Sequence, residues 1–481
     1  MSQITEHPVK TASLSTKLFF GSGSVAFGIK EAAFSYFLLL YYNQVLGLDA
    51  FLCGLALAAA VAADAIMDLG VGYWSDHFVS RWGRRHPFMY AGALPAAVLF
   101  YLSWNPPDMV LMDKSLLFAY LLITAVLLRI AVTFFEVPNA AQGPELTYDY
   151  DDRTRMQAFR YAFGWLGGLV IATLAFLVLF RLDPQEQLGP IGYQWLGLVG
   201  AVAMISVSLV SALGTHRHIK TFYTPTIARA FNFKQMLGHV LSLFRYPSFV
   251  AVFVSALLFG AAMGLNQAMN IYVTTFYWQL NSAEIGYIPL LGLIAVPVSF
   301  VIAPRLAELW GKKHAALRIY IFAIAFMPVA FVANALGIFP DRESALYLPL
   351  IMLHFLIETT SLVSMQIVFG SMNADLVEDR SVDYAGHRDE GLIFAARNFS
   401  KKVVSGIGIL LAGAVLTLAG FPENADPASV SGDQVNRLVL VFVPCVLLLF
   451  LSSWVAMRFY RIDRKQHEHN LNELRKIGES A

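Results

Sequence analysis

Long apolar runs alternate with short polar stretches along the whole chain. A helix needs about 20 apolar residues to cross a bilayer core that is about 30 Å thick, and twelve runs come close to that length. The predicted helices lie at 18–46, 51–75, 87–104, 115–142, 156–181, 192–214, 247–279, 284–304, 315–338, 345–373, 391–420 and 434–457. This pattern predicts an all-α polytopic membrane protein.

The predicted helices divide into two equal sets. The polar stretch 215–246 is the longest between two of them and leaves six helices on either side. Similar basic segments follow the second and the eighth helix, RWGRRH at 81–86 and LWGKKH at 309–314. A repeat combined with this helix count resembles the major facilitator fold, whose solute site lies between two six-helix halves. The predicted parts are a first half at 1–214, a cytoplasmic linker at 215–246, a second half at 247–460 and a cytoplasmic tail at 461–481.

Basic residues concentrate in alternate loops, and such loops face the cytoplasm in helical membrane proteins. They follow the second, fourth, eighth and tenth predicted helices and also occupy the linker and the tail. We therefore predict a multi-pass protein of the cell inner (plasma) membrane with both termini in the cytoplasm. Its surroundings are the lipid bilayer, and we expect a monomer.

Composition agrees with this prediction and excludes other classes of protein. Hydrophobic residues make up 57% of the chain and charged residues 14%, against roughly 25% charged residues in a soluble domain. The net charge of +1 argues against nucleic acid as a partner, because phosphate binding needs a positive excess. The two cysteines, Cys53 and Cys445, lie inside apolar runs and offer neither a disulfide framework nor a thiolate metal site. We expect no cofactor.

Two acidic residues stand inside the second predicted helix. Asp64 and Asp68 are four residues apart, which places both carboxylates on one helical face. An ionised side chain at the bilayer centre costs about 2.5 to 3.5 kcal/mol on insertion scales. Each of these aspartates is therefore expected to have a partner and a functional role. Two such carboxylates are able to share a proton or a metal cation such as Na⁺, and a structural salt bridge to a lysine or arginine is the alternative.

Other predicted helices of the first half also contain charged residues, and so does the eleventh helix. These residues are Lys30, Glu31, Arg129, Glu136 and Arg160, with Lys402 on the eleventh helix. They indicate either a buried network that only holds helices together or a binding site for a substrate and a cation.

Polar residues in the second half are mostly uncharged. Asn266 and Asn270 share a face of the seventh helix and are suited to bind substrate hydroxyls, although amides also join membrane helices to one another. His354 and Glu358 are four residues apart on the tenth helix, where a packing pair and a proton relay both remain open.

Several segments together resemble a known family. The segment 64–76 reads DAIMDLGVGYWSD and 80–88 reads SRWGRRHPF, similar to the signature of the glycoside-pentoside-hexuronide:cation symporters, the melibiose permease-like family of the major facilitator superfamily. The resemblance extends to Lys30-Glu31, to Glu136-Val-Pro138, to 144–160 and to 383–402. It therefore covers most of the chain.

The resemblance implies roles for particular residues. The coupling cation would bind at Asp64 and Asp68, with Thr133 nearby and Lys402 approaching from the eleventh helix. The substrate would contact an acidic and basic set formed by Lys30, Glu31, Glu136 and Arg160, to which we add Asn266 and Asn270 as amide candidates.

Three departures from the family pattern bear on the substrate and the cation. Met67 stands where the family has an asparagine between the two aspartates, and Leu69 replaces a proline. The loss of one oxygen ligand favours a proton over Na⁺, since hard metal cations prefer oxygen ligands. Ala140 occupies the place of a sugar-stacking tryptophan, which leaves the substrate's identity open.

Charged loops at the cytoplasmic side suggest a gate. Asp76, Arg81, Arg84 and Arg85 follow the second helix, and Arg388 follows the tenth. Ion pairs among them would close this side of the protein, while the alternative is that they only set the topology.

The sequence therefore predicts a secondary active transporter that moves a glycoside, sugar or uronide together with H⁺ or Na⁺ by alternating access. A transporter of lysolipids or other amphiphiles with the same fold is the alternative. We do not expect an enzyme, because no pair of nucleophile and base stands out in the sequence.

Overall fold

The structure, a computed structural model, describes residues 11–147, 150–219, 247–383, 404, 406–425 and 430–460. Within these residues every regular element is a helix, as predicted. The described part of the chain contains ten helices that are long and apolar enough to cross a membrane, and a shorter apolar helix covers Gly406–Leu418. The first helix, which carries Lys30 and Glu31 in its interior, is not one of those ten. The described residues thus contain helical segments at all twelve predicted positions.

The helices are numbered here in chain order. The first six are α1 (Leu14–Ala32), α2 (Ala50–His77), α3 (His86–Trp104), α4 (Lys114–Leu146), α5 (Tyr150–Leu174) and α6 (Pro190–His216). The others are α7 (Pro247–Tyr272), α8 (Ser282–Trp310), α9 (Lys312–Phe326), α10 (Tyr347–Asp383), α11 (Gly406–Leu418) and α12 (Gly432–Arg458).

Several helices end at places that hydropathy does not predict. α10 continues to Asp383 rather than ending near residue 373, and α4 continues to Leu146. Apolar runs mark only the bilayer core, whereas backbone hydrogen bonding extends a helix into the polar interface beyond it. The ninth predicted helix is interrupted after Phe326 and resumes at Val329–Ala335, because Pro328 has no N–H to continue the hydrogen-bond ladder.

The chain forms two compact units. One comprises Met1–Phe231 with Pro422–Ala425, and the other comprises Asn232–Phe421 with Asp426–Ala481. The division between Phe231 and Asn232 falls inside the predicted linker. The domain limits themselves stay a prediction, because 220–246 and 461–481 lie outside the described residues.

In the first unit, α1 packs along α5, and α4 packs against both α2 and α3. The contact between α1 and α5 is close because glycines meet there: a Cβ atom on Gly28 would lie 1.9 Å from the carbonyl oxygen of Gly164. The position of α4 brings its polar residues against the acidic face of α2. This packing builds the candidate site described below.

In the second unit, α8 packs against α10, and α7 packs against α12. Buried hydroxyl groups join three helices there. Ser255 Oγ donates to the backbone oxygen of Ser453 at 2.9 Å, and Tyr320 Oη contacts the hydroxyls of both serines. All three side chains are buried.

The internal repeat of the sequence is also visible in the backbone. Gly83 and Gly311, the matching glycines of the two basic loops, have φ angles of +75° and +77°. Residues with a side chain rarely adopt this left-handed backbone conformation, which glycine tolerates. Each of the two glycines stands just before a membrane helix, α3 or α9. The repeated sequence thus places a glycine with a positive φ ahead of a membrane helix in both units, although eight residues connect α2 to α3 and Gly311 alone connects α8 to α9.

Candidate functional site

The acidic face of α2 meets α4 at Thr133. The hydroxyl of Thr133 lies 2.6 Å from Oδ1 of Asp64 and 3.2 Å from Oδ1 of Asp68. Asp64 and Thr133 are each 1% exposed, and Asp68 is half-buried. The structure therefore brings together the three residues that the sequence predicted for the cation in the first half.

Arg129 lies one helical turn before Thr133 and bridges two helices. Its Nη1 atom is 3.1 Å from Oδ2 of Asp64 and 3.5 Å from Oε1 of Glu31, and its guanidinium carbon is 4.5 Å from the centroid of the Phe34 ring. A buried cation needs such partners because removing one member of a buried pair leaves an uncompensated charge. The sequence predicted Arg129 as a member of a buried charge network or binding site, but assigned it no role toward the cation or the substrate.

Lys30 and Glu31 complete this network on α1. Lys30 Nζ lies 2.6 Å from Oε1 of Glu31, and the lysine side chain is 1% exposed whereas the glutamate side chain is 32% exposed. The lysine ammonium also lies 4.7 Å from the centroid of the Phe27 ring. Glu31 thus forms ion pairs with one buried cation on its own helix and with a second on α4.

Two cations of the described residues contact carboxylates of this cluster. Lys30 pairs with Glu31, and Arg129 pairs with both Glu31 and Asp64. Lys402, predicted to approach this site, lies outside the described residues.

A second ion pair lies beside the first on α4. Arg160 Nη2 of α5 is 3.3 Å from Oε1 of Glu136, and the two side chains are 21% and 17% exposed. Glu136 follows Thr133 by three residues, so helical periodicity places it on the neighbouring part of the same face. This pair keeps donors and acceptors accessible, unlike the pair of Asp64 and Arg129.

A further cluster forms at the ends of α2, α3 and α4. Arg85 Nη2 lies 2.7 Å from Oε1 of Glu145 and 3.2 Å from Oδ1 of Asp76, and Arg84 also pairs with Glu145. Glu145 is the residue that the sequence prediction missed. Arg81 stacks instead over the Trp82 ring at 5.6 Å, and Arg388 lies outside the described residues.

The polar candidates of the second unit form their own small group. Asn266 Nδ2 donates to Oε1 of Glu358 at 2.9 Å, and Oε2 of Glu358 lies 4.0 Å from Nε2 of His354. Asn270 is half-buried one turn further along α7. Asn266 thus serves as a partner between helices in this structure, and its predicted role toward a substrate remains a prediction.

Comparison with known proteins gives relatives of nearly the same length. The chain is 26% identical to an uncharacterized symporter, sll1374, of Synechocystis sp., over 94% of this chain and 95% of that protein. It is 23% identical to the isoprimeverose transporter of Lactiplantibacillus pentosus, over 89% and 85%. It is 26% identical to the inner membrane symporter YicJ of Escherichia coli, over 95% and 93%.

Solved structures support the same fold. A bacterial homolog of the human lysosomal transporter Spinster superposes with a TM-score of 0.63 at 12% sequence identity, covering 96% of this chain and 97% of that chain. This likeness concerns the fold, and it confirms the prediction of a major facilitator architecture.

A family match spans most of the sequence. Residues 19–464 match the family described as MFS/sugar transport protein, which includes the acidic face of α2, the polar face of α4 and the basic loop that follows α2. The resemblance read from those motifs is thereby confirmed, as is the prediction of a transporter rather than an enzyme. The chain belongs to the MFS/sugar transport protein family of membrane transporters.

Proposed function

We propose that the protein is a symporter that couples the movement of a glycoside or related sugar to one monovalent cation by alternating access. The observation that carries this proposal is the contact of one hydroxyl, that of Thr133, with two membrane carboxylates, Asp64 and Asp68. The relatives named as symporters and as an isoprimeverose transporter support the same reading.

The coupling ion is a proton in this proposal. A hydroxyl carries a single hydrogen, so Thr133 donates to only one of the two carboxylates at a time. The other short contact is favourable when the second carboxyl group carries a proton and donates to the Thr133 oxygen. A Na⁺ ion would instead need a larger set of oxygen ligands, and Met67 supplies none.

Coupling follows from the charge of the cluster. An ion shifts a conformational equilibrium only by its difference in affinity between two states. When Asp64 and Asp68 are both ionised, two like charges share the single hydroxyl of Thr133, and their repulsion favours a state that admits water to them. Protonation of one carboxylate removes this repulsion and permits the site to close.

The substrate binds beside the cation, at Glu136 and Arg160. A carboxylate accepts hydrogen bonds from sugar hydroxyls, and a guanidinium donates them in a fixed planar arrangement. Both side chains keep an exposed fraction, 17% and 21%, so each has surface for a ligand. Glu31, which is 32% exposed, links this region to the cation through Arg129.

Uptake into proteoliposomes tests the proposal directly. The purified protein is reconstituted, and uptake of radiolabelled glycosides, pentosides, uronides and lysolipids is measured with a proton gradient or a sodium gradient imposed separately. We expect a proton gradient to drive the accumulation of at least one glycoside. Accumulation with sodium alone would correct the ion, whereas transport of lysolipids alone, or no response to either gradient, would overturn sugar symport.

The orientation and assembly are part of the proposal. The cluster of Asp76, Arg84, Arg85 and Glu145 would face the cytoplasm, because basic loops are retained there, and would hold the ends of α2, α3 and α4 together. Reporter fusions to each terminus, which we expect to be active only with cytoplasmic reporters, check the orientation. Light scattering of the purified protein checks that it is a monomer.

A further inference from the structure

The second unit contains an apolar groove that the proposed transport mechanism does not use. α8, α9 and α10 enclose a space of about 500 Å³. Most of the residues that line it are aliphatic or aromatic. They include Ile294, Val298, Ile302, Phe322, Leu356 and Ile357.

This lining does not suit a sugar. A sugar site needs several directed polar groups, whereas the hydroxyl groups of Thr360 and Ser361 in the groove already donate to backbone oxygens one turn earlier on α10. Ile294, Val298 and Phe322 are 54%, 39% and 49% exposed. Exposed apolar surface on a membrane helix matches an acyl chain.

One end of the groove carries a positive charge. The guanidinium carbon of Arg318 lies 4.1 Å from the centroid of the Trp310 ring, and both side chains line the groove and are exposed. Arg318 stands six residues after Lys312, which is about 9 Å along α9. A cation at that depth is costly without an anionic partner, and no carboxylate of the described residues forms an ion pair with it.

The surroundings of Arg318 favour an anion. Lys312 and Lys313 begin α9, and Arg305 and Glu308 lie near the end of α8. Tryptophan and basic side chains together are typical of the level of lipid headgroups, and basic pockets between membrane helices bind anionic lipid headgroups.

A buried hydroxyl lies in the same region. Ser364 lines the groove, is 2% exposed, and its Oγ atom has no hydrogen-bond partner among the described residues. Since successive membrane helices alternate in direction, α8 and α10 run the same way, so Ser364 lies toward the end at which α8 reaches Trp310. A donor placed there is suited to an ester oxygen.

We propose that this groove is a binding site for one phospholipid with an anionic headgroup, whose phosphate pairs with Arg318 and whose acyl chain lies along α8. Trp310 holds the guanidinium group toward the headgroup, and Ser364 donates to the glycerol ester region. The site belongs wholly to the second unit and does not depend on the identity of the transported solute.

Lipid titration of the purified full-length protein tests the proposal. The protein is delipidated in a mild detergent, and the binding of phosphatidylglycerol and of phosphatidylcholine with identical acyl chains is measured by native mass spectrometry. We expect phosphatidylglycerol to bind more tightly, and R318Q to reduce its affinity by about fivefold, as for the loss of one basic residue near anionic lipid, with little change for phosphatidylcholine.

Three further variants separate the headgroup from the groove. R318K keeps the charge and is expected to retain most of the preference, whereas V298W fills the groove and weakens the binding of both lipids. R181Q removes an exposed arginine of the first unit and is expected to leave the binding of both lipids unchanged. The proposal would be overturned if the unaltered protein bound the two lipids equally, or if R318Q kept its affinity for phosphatidylglycerol. Thermal unfolding checks that each variant is folded.

Discussion

The two units stabilise their buried polar residues by different means. In the first unit, carboxylates pair with cations across helices, as Asp64 does with Arg129. In the described part of the second unit, the buried contacts are mainly between neutral groups, as among Ser255, Tyr320 and Ser453. A network of charges responds to the binding of an ion, whereas a network of hydroxyls mainly fixes helix packing. This difference supports the proposal that ion coupling takes place in the first unit.

The largest expected effect comes from removing the charge of Asp64. Among the described residues, D64N leaves Glu31, at the longer distance of 3.5 Å, as the carboxylate paired with Arg129. Breaking a buried ion pair costs about 3–5 kcal/mol of stability. We expect gradient-driven uptake to be lost and the melting temperature to fall. The matched control is D152N, which alters another aspartate that is 1% exposed and ion-paired and is expected to keep coupled uptake.

A double variant separates folding from coupling at the same position. D64N combined with R129Q removes both charges, so we expect part of the stability to return while uptake stays absent. Full recovery of gradient-driven uptake in the double variant would mean that the pair is only structural. Uptake in proteoliposomes measures coupling, and thermal unfolding of the same preparations measures stability.

A smaller effect is expected at the more accessible ion pair. A hydrogen bond to a charged group contributes about 1.5–3 kcal/mol, so E136Q should raise the KM for the substrate by about 10- to 100-fold. The ratio of cation to substrate should stay unchanged, because the cluster of Asp64 and Asp68 is intact. E343Q, at an exposed glutamate of the second unit, is the control, and an altered ratio in E136Q would place Glu136 in the cation site instead.

The hydroxyl network of the second unit should affect stability without affecting coupling. Y320F removes a hydroxyl that contacts Ser255 and Ser453. Both serine hydroxyls keep their bonds to backbone oxygens, so the cost is that of one lost hydrogen bond, about 0.5–1.5 kcal/mol. We expect a lower melting temperature with the same dependence of uptake on the proton gradient. S206A removes an exposed hydroxyl of α6 and should change neither quantity. A changed gradient dependence in Y320F would contradict the division of roles between the units.

The smallest effect concerns Asp152 near the start of α5, outside the membrane span. Burial acts to raise the pKa of this carboxyl, but hydrogen bonds from Lys17 and from the backbone N–H of Ala12 prevail and lower it. A lowered folded-state pKa gives stability that is present above the ordinary aspartate pKa and is lost as pH falls through the folded-state value. The difference in melting temperature between the unaltered protein and D152N should therefore shrink as pH falls below about 4. A difference that stays constant down to pH 2 would refute the role of this charge.

The sequence predicted which residues of the first unit are chemically unusual. Asp64, Asp68 and Thr133 were expected at one site, and the Thr133 hydroxyl lies within hydrogen-bond distance of both carboxylates. It did not predict that Arg129 bridges Asp64 and Glu31, or that Glu145 receives Arg84 and Arg85. Each of these pairs joins different helices, and nothing in the spacing along one helix specifies which residue of another helix will face it.

The sequence by itself determined the features that depend on neighbouring residues, namely the positions of the helices and which residues share a helical face. The length of each apolar run predicts a membrane helix, the i and i+4 spacing puts Asp64 and Asp68 on one face, and the repeated glycine has a positive φ at both 83 and 311. Only the tertiary structure decided which charges are paired and which polar groups stay accessible. The physical reason is that pairing depends on how packed helices are rotated and how closely they approach, as α1 and α5 do at Gly28 and Gly164. Contacts between residues far apart in the chain set both the rotation and the distance.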